Sequence, residues 1–280
     1  MVIKRILGGA TASILLALGV PLSASAATTV VVTPVNTQGW STADTRPGGA
    51  VNFITDATSP LPDGALQLTT DATTTSKAQY LHEANTPIAD VETLGYSTKQ
   101  NSASFPGGDA SYQLVVDLNG SAPEGFTTFV YEPYQNGTVV PAIWQQWDVD
   151  QGQFWSSRSF SEGTCTVAAG GGGAPFYTLA ELQANCPDAV AIGFGVNIGS
   201  NNPSYNVEVD ALMFNDTTYN FELANEPTNK DQCKNDGWKS LTNAEGKAFK
   251  NQGDCVSYFA SKGKAKGNPQ VIVLANNPTF

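Results

Sequence analysis

Two carboxylates lie two residues apart in the run "VEVDALMF", where Glu208 and Asp210 alternate with valines. If this run is a β-strand, both side chains point to one face and lie about 6.5–7 Å apart along the chain. Retaining glycosidases place two carboxyl groups about 5–5.5 Å apart across the bond they cleave. Glu208 and Asp210 are therefore candidate catalytic residues, and the alternative is that Asp210 hydrogen-bonds neighbouring loops.

Three of the five tryptophans lie close together, at positions 144, 147 and 155 of "PAIWQQWDVDQGQFW". On a strand, Trp144 and Trp147 point to opposite faces, because successive side chains alternate. Trp147 shares its face with Ile143 and Val149, which predicts a core position. Trp144 shares its face with the polar Gln146.

Aromatic side chains with a polar group suit ligands that present both apolar faces and hydroxyls. We therefore predict that Trp144 and Gln146 bind a ligand. Tyr131 and Tyr134 of "YEPY" are expected to extend the same site. In the alternative interpretation, a loop between Cys165 and Cys186 covers Trp144.

The segment "DVDQG" raises the question of a bound calcium ion. Asp148 and Asp150 have the D-x-D spacing of calcium loops and precede Gly152. Calcium requires six to eight oxygen ligands, and the segment does not complete an EF-hand pattern. Turn-forming aspartates explain it equally well. A structural calcium at Asp148 and Asp150 stays open, and no other cofactor is predicted.

Short runs of apolar and polar residues in alternation, separated by turn residues, dominate positions 29–223 and predict antiparallel strands. The predicted strands cover 29–34, 50–55, 65–70, 78–82, 111–118, 126–132, 189–197, 206–214 and 218–222. Asn136-Gly137 predicts a type I′ hairpin. Thr178 and Glu181 have capping-box spacing and predict one short helix in "YTLAELQANC".

The four cysteines of the mature chain allow three disulfide pairings. The local pairing, Cys165–Cys186 and Cys233–Cys255, closes loops of about 20 residues and adds about 3 kcal/mol for each. A zinc site is not favoured, because the spacings are wide and the single histidine, His82, lies far away in sequence. An isolated histidine at a strand end is expected to be a surface residue.

Charge and composition divide the chain. The net charge is −11, and charged residues make up 14% of the sequence. Residues 27–229 contain four basic and twenty-one acidic residues, whereas 230–266 contains eight lysines and four acids. We expect no nucleic-acid partner for the acidic part. The basic part has two interpretations: attachment to anionic wall polymers, or a solvated lysine-rich face.

The amino-terminal sequence predicts export. Lys4 and Arg5 precede an apolar run and a small-residue cleavage site at 24–26, as in secretory signal peptides. We predict a signal peptide at 1–26, a β-sandwich at 27–224, a small basic disulfide-bridged module at 225–266 and a flexible tail at 267–280. No integral membrane segment is expected.

The strand order "DTRPGGAVNF…YQLVVDLNG…WQQWD…AIGFGVNIGS…VEVDALMFNDTTYNFE" resembles secreted bacterial jelly-roll modules of the concanavalin A-like lectin and glucanase type. The carboxyl-terminal "KDQCKNDGWKSL…FKNQGDCVSYF" resembles a short cysteine-containing element of unassigned function on secreted bacterial proteins. The resemblance implies an all-β fold: an antiparallel jelly-roll sandwich with one short helix, plus a small helical, disulfide-stapled carboxyl-terminal element.

The laminarinase-like branch of that superfamily carries E-x-D-x-x-E on one strand. Glu208 and Asp210 match its first two positions, but Met213 stands in place of the last glutamate. We therefore predict a secreted, extracellular or cell-surface protein that binds a polysaccharide or cell-wall polymer without cleaving it. The alternatives are a glycosidase or polysaccharide lyase of the same fold, and a structural or adhesion protein without a glycan site.

Overall fold

The computed structural model describes residues 27–120 and 124–261. The predicted signal peptide and the tail from 267 lie outside the described residues. The described strands are β1 (Thr28–Val32), β2 (Gly49–Thr55), β3 (Gly64–Thr70), β4 (Ala78–Pro87), β5 (Leu94–Ser102), β6 (Ser111–Asp117), β7 (Phe126–Tyr131), β8 (Gln145–Asp148), β9 (Phe154–Ser156), β10 (Phe160–Glu162), β11 (Cys165–Val167), β12 (Phe176–Tyr177), β13 (Val190–Ile198), β14 (Asn206–Phe214) and β15 (Thr217–Phe221). The helices are α1 (Pro133–Asn136), α2 (Leu179–Asn185) and α3 (Gln252–Ala260).

Thirteen of the fifteen described strands form a two-sheet sandwich, and β10 and β11 pair as a separate two-stranded sheet. One sheet of seven strands has β14 at its centre, with β3 and β15 on one side and β5, followed by β8, on the other. The second sheet has the order β12-β9-β7-β6-β13-β4. The pairs within these sheets are antiparallel except β1 with β15, which is parallel. The predicted all-β jelly-roll sandwich is confirmed.

The core lies between the two sheets, and β6 at the centre of the second sheet is buried along its whole length. Leu66, Leu68, Val207 and Val209 point inward from the seven-stranded sheet and are fully buried. At one end, Trp40 packs among aromatic residues, with ring centroids 5.2–5.5 Å away. His82 belongs to this cluster and is half-buried, with both ring nitrogens near backbone carbonyls. His82 is therefore a partly exposed surface residue, as expected, and its ring also packs against the aromatic cluster.

Strand β5 is absent from the predicted strands, because two of its core-facing positions, Thr98 and Gln100, are polar. Thr98 and Gln100 are buried and satisfied internally: the Thr98 hydroxyl donates to Asp109 at 2.6 Å, and the Gln100 amide donates to the Pro106 carbonyl at 2.9 Å. These partners lie in the loop between β5 and β6. The alternation of apolar and polar residues in the sequence therefore does not reveal β5. β5 is the strand that carries Lys99, a residue central to the site described below.

The structure corrects one turn and confirms the helix. Asn136 ends α1, and the Gly137 amide donates to the Pro133 carbonyl at 2.8 Å, so Asn136-Gly137 forms no hairpin. Pro133 at the first helical position favours a helical turn here. The predicted helix is α2, in which Thr178 and Glu181 form a reciprocal capping box.

Both predicted disulfides are present, Cys165–Cys186 and Cys233–Cys255. The second lies in a separate small core with Leu241, Phe249 and Tyr258. Among the described residues, no helix is long and apolar enough to cross a membrane.

Candidate functional site

A row of polar residues crosses the solvent-facing side of the seven-stranded sheet, which we call the outer face. Asn52, Gln67, Glu208 and Lys99 are register partners on four neighbouring strands, β2, β3, β14 and β5. The residues that flank each of them along its strand face the core, and on β5 these are the buried polar residues Thr98 and Gln100. All four side chains of the row therefore point away from the core. Neighbouring strands lie about 4.8 Å apart, so the row spans about 15 Å.

Trp144 extends this row onto the edge strand. Gln145, the first residue of β8, pairs with Thr98, and Trp144 precedes it at the level of Lys99. The indole is half-buried. Its Nε1 donates to the Asp56 carboxylate at 3.2 Å, and the Lys99 ammonium lies 5.3 Å from the ring centroid. The tryptophan is therefore fixed in orientation and still partly open to solvent.

Lys99 organises the charges of the outer face. Its ammonium pairs with Asp56 and lies 2.6 Å from a Glu208 oxygen. Asn101 donates to the other Glu208 oxygen at 2.6 Å. Burial raises the pKa of Asp56, but the hydrogen bonds from Lys99 and Thr58 outweigh it and hold this pKa far below its ordinary value. Burial lowers the pKa of Lys99, and the two carboxylates outweigh that effect and raise it.

The two candidate catalytic carboxylates have different surroundings. Glu208 faces Lys99 and Asn101, as described above. Asp210 is fully buried, and its carboxylate accepts hydrogen bonds from the backbone amides of Leu61 at 2.9 Å and Phe221 at 3.2 Å. Burial raises the pKa of Asp210 to about 6. Asp210 therefore holds the β2–β3 loop against the sheet, as the alternative interpretation expects.

Gln146 lies on the outer face beside Ser97 and is exposed. Its amide donates to Asp148 at 3.3 Å. Asp150 accepts from the Leu94 backbone amide at 3.0 Å, which ties the turn after β8 to the start of β5. No group of three or more histidine, cysteine or acidic side chains within the described residues is placed to hold a metal ion. Calcium at Asp148 and Asp150 stays a prediction.

The two candidate tyrosines do not join Trp144 on the outer face. Tyr131 is buried in the core, with its ring 5.9 Å from that of Phe154. Tyr134 is exposed in α1, where its ring lies 5.4 Å from Phe105. The structure therefore brings together Trp144, Gln146 and Glu208, and separates them from Tyr131 and Tyr134.

The loop between Cys165 and Cys186 packs elsewhere. Its strand β12 pairs with β9 of the six-stranded sheet, and Gln183 of α2 donates to the carbonyls of Ile88 and Val91. The partners of Trp144 are Asp56 and Lys99 instead. Trp147 is buried as predicted, with its Nε1 donating to Thr98 at 2.8 Å.

Sequence reasoning missed Asp56, Lys99 and Asn101 as site residues. Asp56 lies in the β2–β3 loop, 43 positions from Lys99. One signal was available: Lys99 is one of only four basic residues in 27–229. An isolated lysine in an acidic domain is a candidate for a paired, structured charge.

Two solved structures are similar to this chain at low sequence identity. One is described as a family 11 carbohydrate-binding module from Clostridium thermocellum in complex with a β-1,3-1,4-mixed-linked tetrasaccharide. It matches with 11% identity, covers 63% of this chain and 88% of that chain, and has a TM-score of 0.37. The other is the family 11 module of the cellulosomal cellulase Lic26A-Cel5E of Clostridium thermocellum, with 10% identity, 63% and 86% coverage and a TM-score of 0.36. No family model and no curated protein matches the chain.

Proposed function

We propose that this protein is a secreted, non-catalytic module that binds a polysaccharide through its outer face. The observation that carries the proposal is the row of Asn52, Gln67, Glu208, Lys99 and Trp144, which combines one oriented aromatic ring with amides and paired charges. Amide and carboxylate groups bind sugar hydroxyls by hydrogen bonds, and an indole packs against the apolar faces of sugar rings.

The arrangement of charges supports binding rather than cleavage. Glu208 is paired with Lys99, and Asp210 is enclosed by backbone amides, so the two carboxylates do not face one open cleft. A retaining or inverting glycosidase needs two accessible carboxyl groups on either side of the bond. The accessible part of the row instead consists of the exposed Asn52 and the partly exposed Gln67 and Trp144.

Extracellular localisation is part of the same proposal. Two disulfides are present, and the described cysteines include no free thiol. Disulfides persist mainly in proteins outside the reducing cytosol. We propose that the small carboxyl-terminal module serves attachment rather than recognition of the polysaccharide.

Binding is tested by a glycan array, followed by titration with the glycans that bind while tryptophan fluorescence is recorded. Trp144→Ala removes the one aromatic ring of the row and is expected to weaken binding at least about tenfold. Trp40→Phe is the matched control, because Trp40 is buried in the core, whereas the row faces away from the core. Unchanged affinity in Trp144→Ala contradicts the proposed face.

Catalysis is tested separately, by measuring reducing ends released from each glycan that binds. We expect none above background. Release by the purified protein that disappears in Glu208→Gln would establish the glycosidase alternative, because this substitution keeps the side-chain shape and removes the carboxylate.

A further inference from the structure

We propose a second ligand contact at one end of the sandwich, formed by Phe105 and Tyr134 with Val140 and Ile143, which we call the loop-end patch. Its ligand is a neutral polysaccharide chain. The class of ligand rests on the proposed function, but none of the four residues belongs to the outer-face row.

The loop-end patch consists of exposed large apolar side chains. Phe105, Tyr134, Val140 and Ile143 are 51%, 39%, 41% and 53% exposed, and they are the large hydrophobic side chains with high exposure among the described residues. Clusters of exposed apolar side chains on a folded domain mark interaction sites.

Gln100 holds the two segments of the patch at the same end of the molecule. Its carbonyl accepts from the Ala142 amide at 2.8 Å, and its side chain donates to the Pro106 carbonyl at 2.9 Å. The side chain also bonds the Gly108 carbonyl. Because Gln100 itself is buried, these bonds are shielded from water and fix both loops.

Phe105 is presented by a rigid turn. The Gly108 amide donates to the Phe105 carbonyl at 2.8 Å. A Cβ at position 108 would lie 1.9 Å from the Tyr205 hydroxyl, and one at position 107 would lie 3.0 Å from the Phe105 ring. Glycine at 108 therefore lets the turn sit directly against Tyr205.

Tyr134 is also held in place. Its neighbour Gln135 donates to the Gly172 carbonyl at 2.8 Å and to the Tyr134 hydroxyl at 3.1 Å. The Phe105 and Tyr134 rings meet edge to face, at 5.4 Å and 85°. Two exposed rings that are already fixed lose little conformational entropy when a ligand binds, which makes them effective anchors.

Charge indicates which ligand fits. From Pro133 to Trp147 the sequence contains no acidic or basic residue, but it contains four amide side chains. A charged polymer would find no counter-charge in this segment. A neutral, hydroxyl-rich chain matches both the aromatic rings and the neighbouring amides, Gln135 and Gln145 among them.

The test titrates the full chain with cellohexaose, xylohexaose, laminarihexaose and chitohexaose by isothermal calorimetry. We compare Phe105→Ala/Tyr134→Ala, Trp144→Ala and the control Tyr134→Phe, each checked for an unchanged melting temperature. The double variant is expected to weaken binding of at least one oligosaccharide about tenfold or more. Tyr134→Phe, which keeps the ring, is expected to bind within about twofold of the parent.

The variants separate the two proposals. If Trp144→Ala weakens binding and the double variant binds like the parent, the second contact is overturned while the outer face stands. If only the double variant loses affinity, the second contact stands and the outer face fails. Absence of binding to all four oligosaccharides overturns the second contact. Self-association in analytical ultracentrifugation that disappears in the double variant assigns the patch to a second copy and also overturns it.

Discussion

At the scale of single residues, the outer face depends on one lysine that satisfies two carboxylates. The side chains of Lys99, Asp56 and Glu208 are only 8–13% exposed. Charges this poorly solvated are stable only when they are paired. The same ammonium also lies near the Trp144 ring, so the charge pairing and the orientation of the indole are coupled.

Lys99→Met tests this dependence. The substitution leaves Asp56 and Glu208 as neighbouring carboxylates without a cation, and we expect it to lower the free energy of unfolding by about 2–3 kcal/mol. Urea denaturation measures the change. Lys77→Met is the control, because its partner Asp44 is 56% exposed, and it should cost at most about 1 kcal/mol. Equal losses in the two variants would contradict the central role of Lys99.

The alternation of side chains along a strand was sufficient to place Trp144 and Trp147 on opposite faces, since this alternation is a local property of the sequence. It was not sufficient to find the partners of Trp144. Asp56 and Lys99 reach the indole only through the pairing of β5 with β8 and the folding back of the β2–β3 loop. Both are long-range arrangements, and no local spacing encodes them.

At the scale of elements, the strands with apolar alternation were predictable, and those built from polar residues were not. β14 was predicted with its observed limits, 206–214. β5 was missed because Thr98 and Gln100 take core positions and exchange hydrogen bonds with a neighbouring loop. Tertiary contacts determine such strands more than their own propensity does.

The carboxyl-terminal module should depend on its disulfide more than the sandwich does. Its core contains five buried residues, two of which are Cys233 and Cys255 themselves. In Cys233→Ser/Cys255→Ser, the loss of loop closure costs about 3 kcal/mol, which a core of this size does not offset. Hydrogen exchange should therefore show lost protection in α3 while β13 and β14 stay protected.

The matched control for that experiment is Cys165→Ser/Cys186→Ser, which opens a loop of similar length on the sandwich. It should loosen α2 and leave α3 protected. A simultaneous loss of protection in the module and both sheets in Cys233→Ser/Cys255→Ser would show that the module and the sandwich unfold as one unit.

At the scale of the whole molecule, the sandwich contains several acids whose pKa values lie near neutrality. Burial raises the pKa of Asp109 to about 7, that of Glu132 to about 7 and that of Glu222 to about 7. Asp210 belongs to the same group. Each folded pKa lies above the unfolded value of about 4, so the folded state binds these protons more tightly.

Stability should therefore be greatest in mild acid. The contribution of these four acids is fully present below about pH 4 and is lost as the pH rises through about 6–7. We expect the melting temperature to be higher at pH 5 than at pH 7.5, measured by calorimetry in one buffer system. Asp109→Asn should reduce the difference, and Asp188→Asn, at an exposed loop position, should preserve it. A melting temperature that rises steadily to pH 7.5 would contradict the expectation.

The parallel pairing of β1 with β15 has a mechanical consequence. Thr28 is paired with Thr217 and Val32 with Phe221, so the two strands run side by side in one direction over five residues. Tension applied between the start of β1 and the carboxyl-terminal module, which follows β15, pulls these strands past each other and loads all their hydrogen bonds at once. We expect single-molecule pulling from these two points to require a higher rupture force than pulling β2 away from β3 at their hairpin, where the bonds open one after another. The pairing of β1 with β15 thus makes resistance to force depend on the direction of pulling.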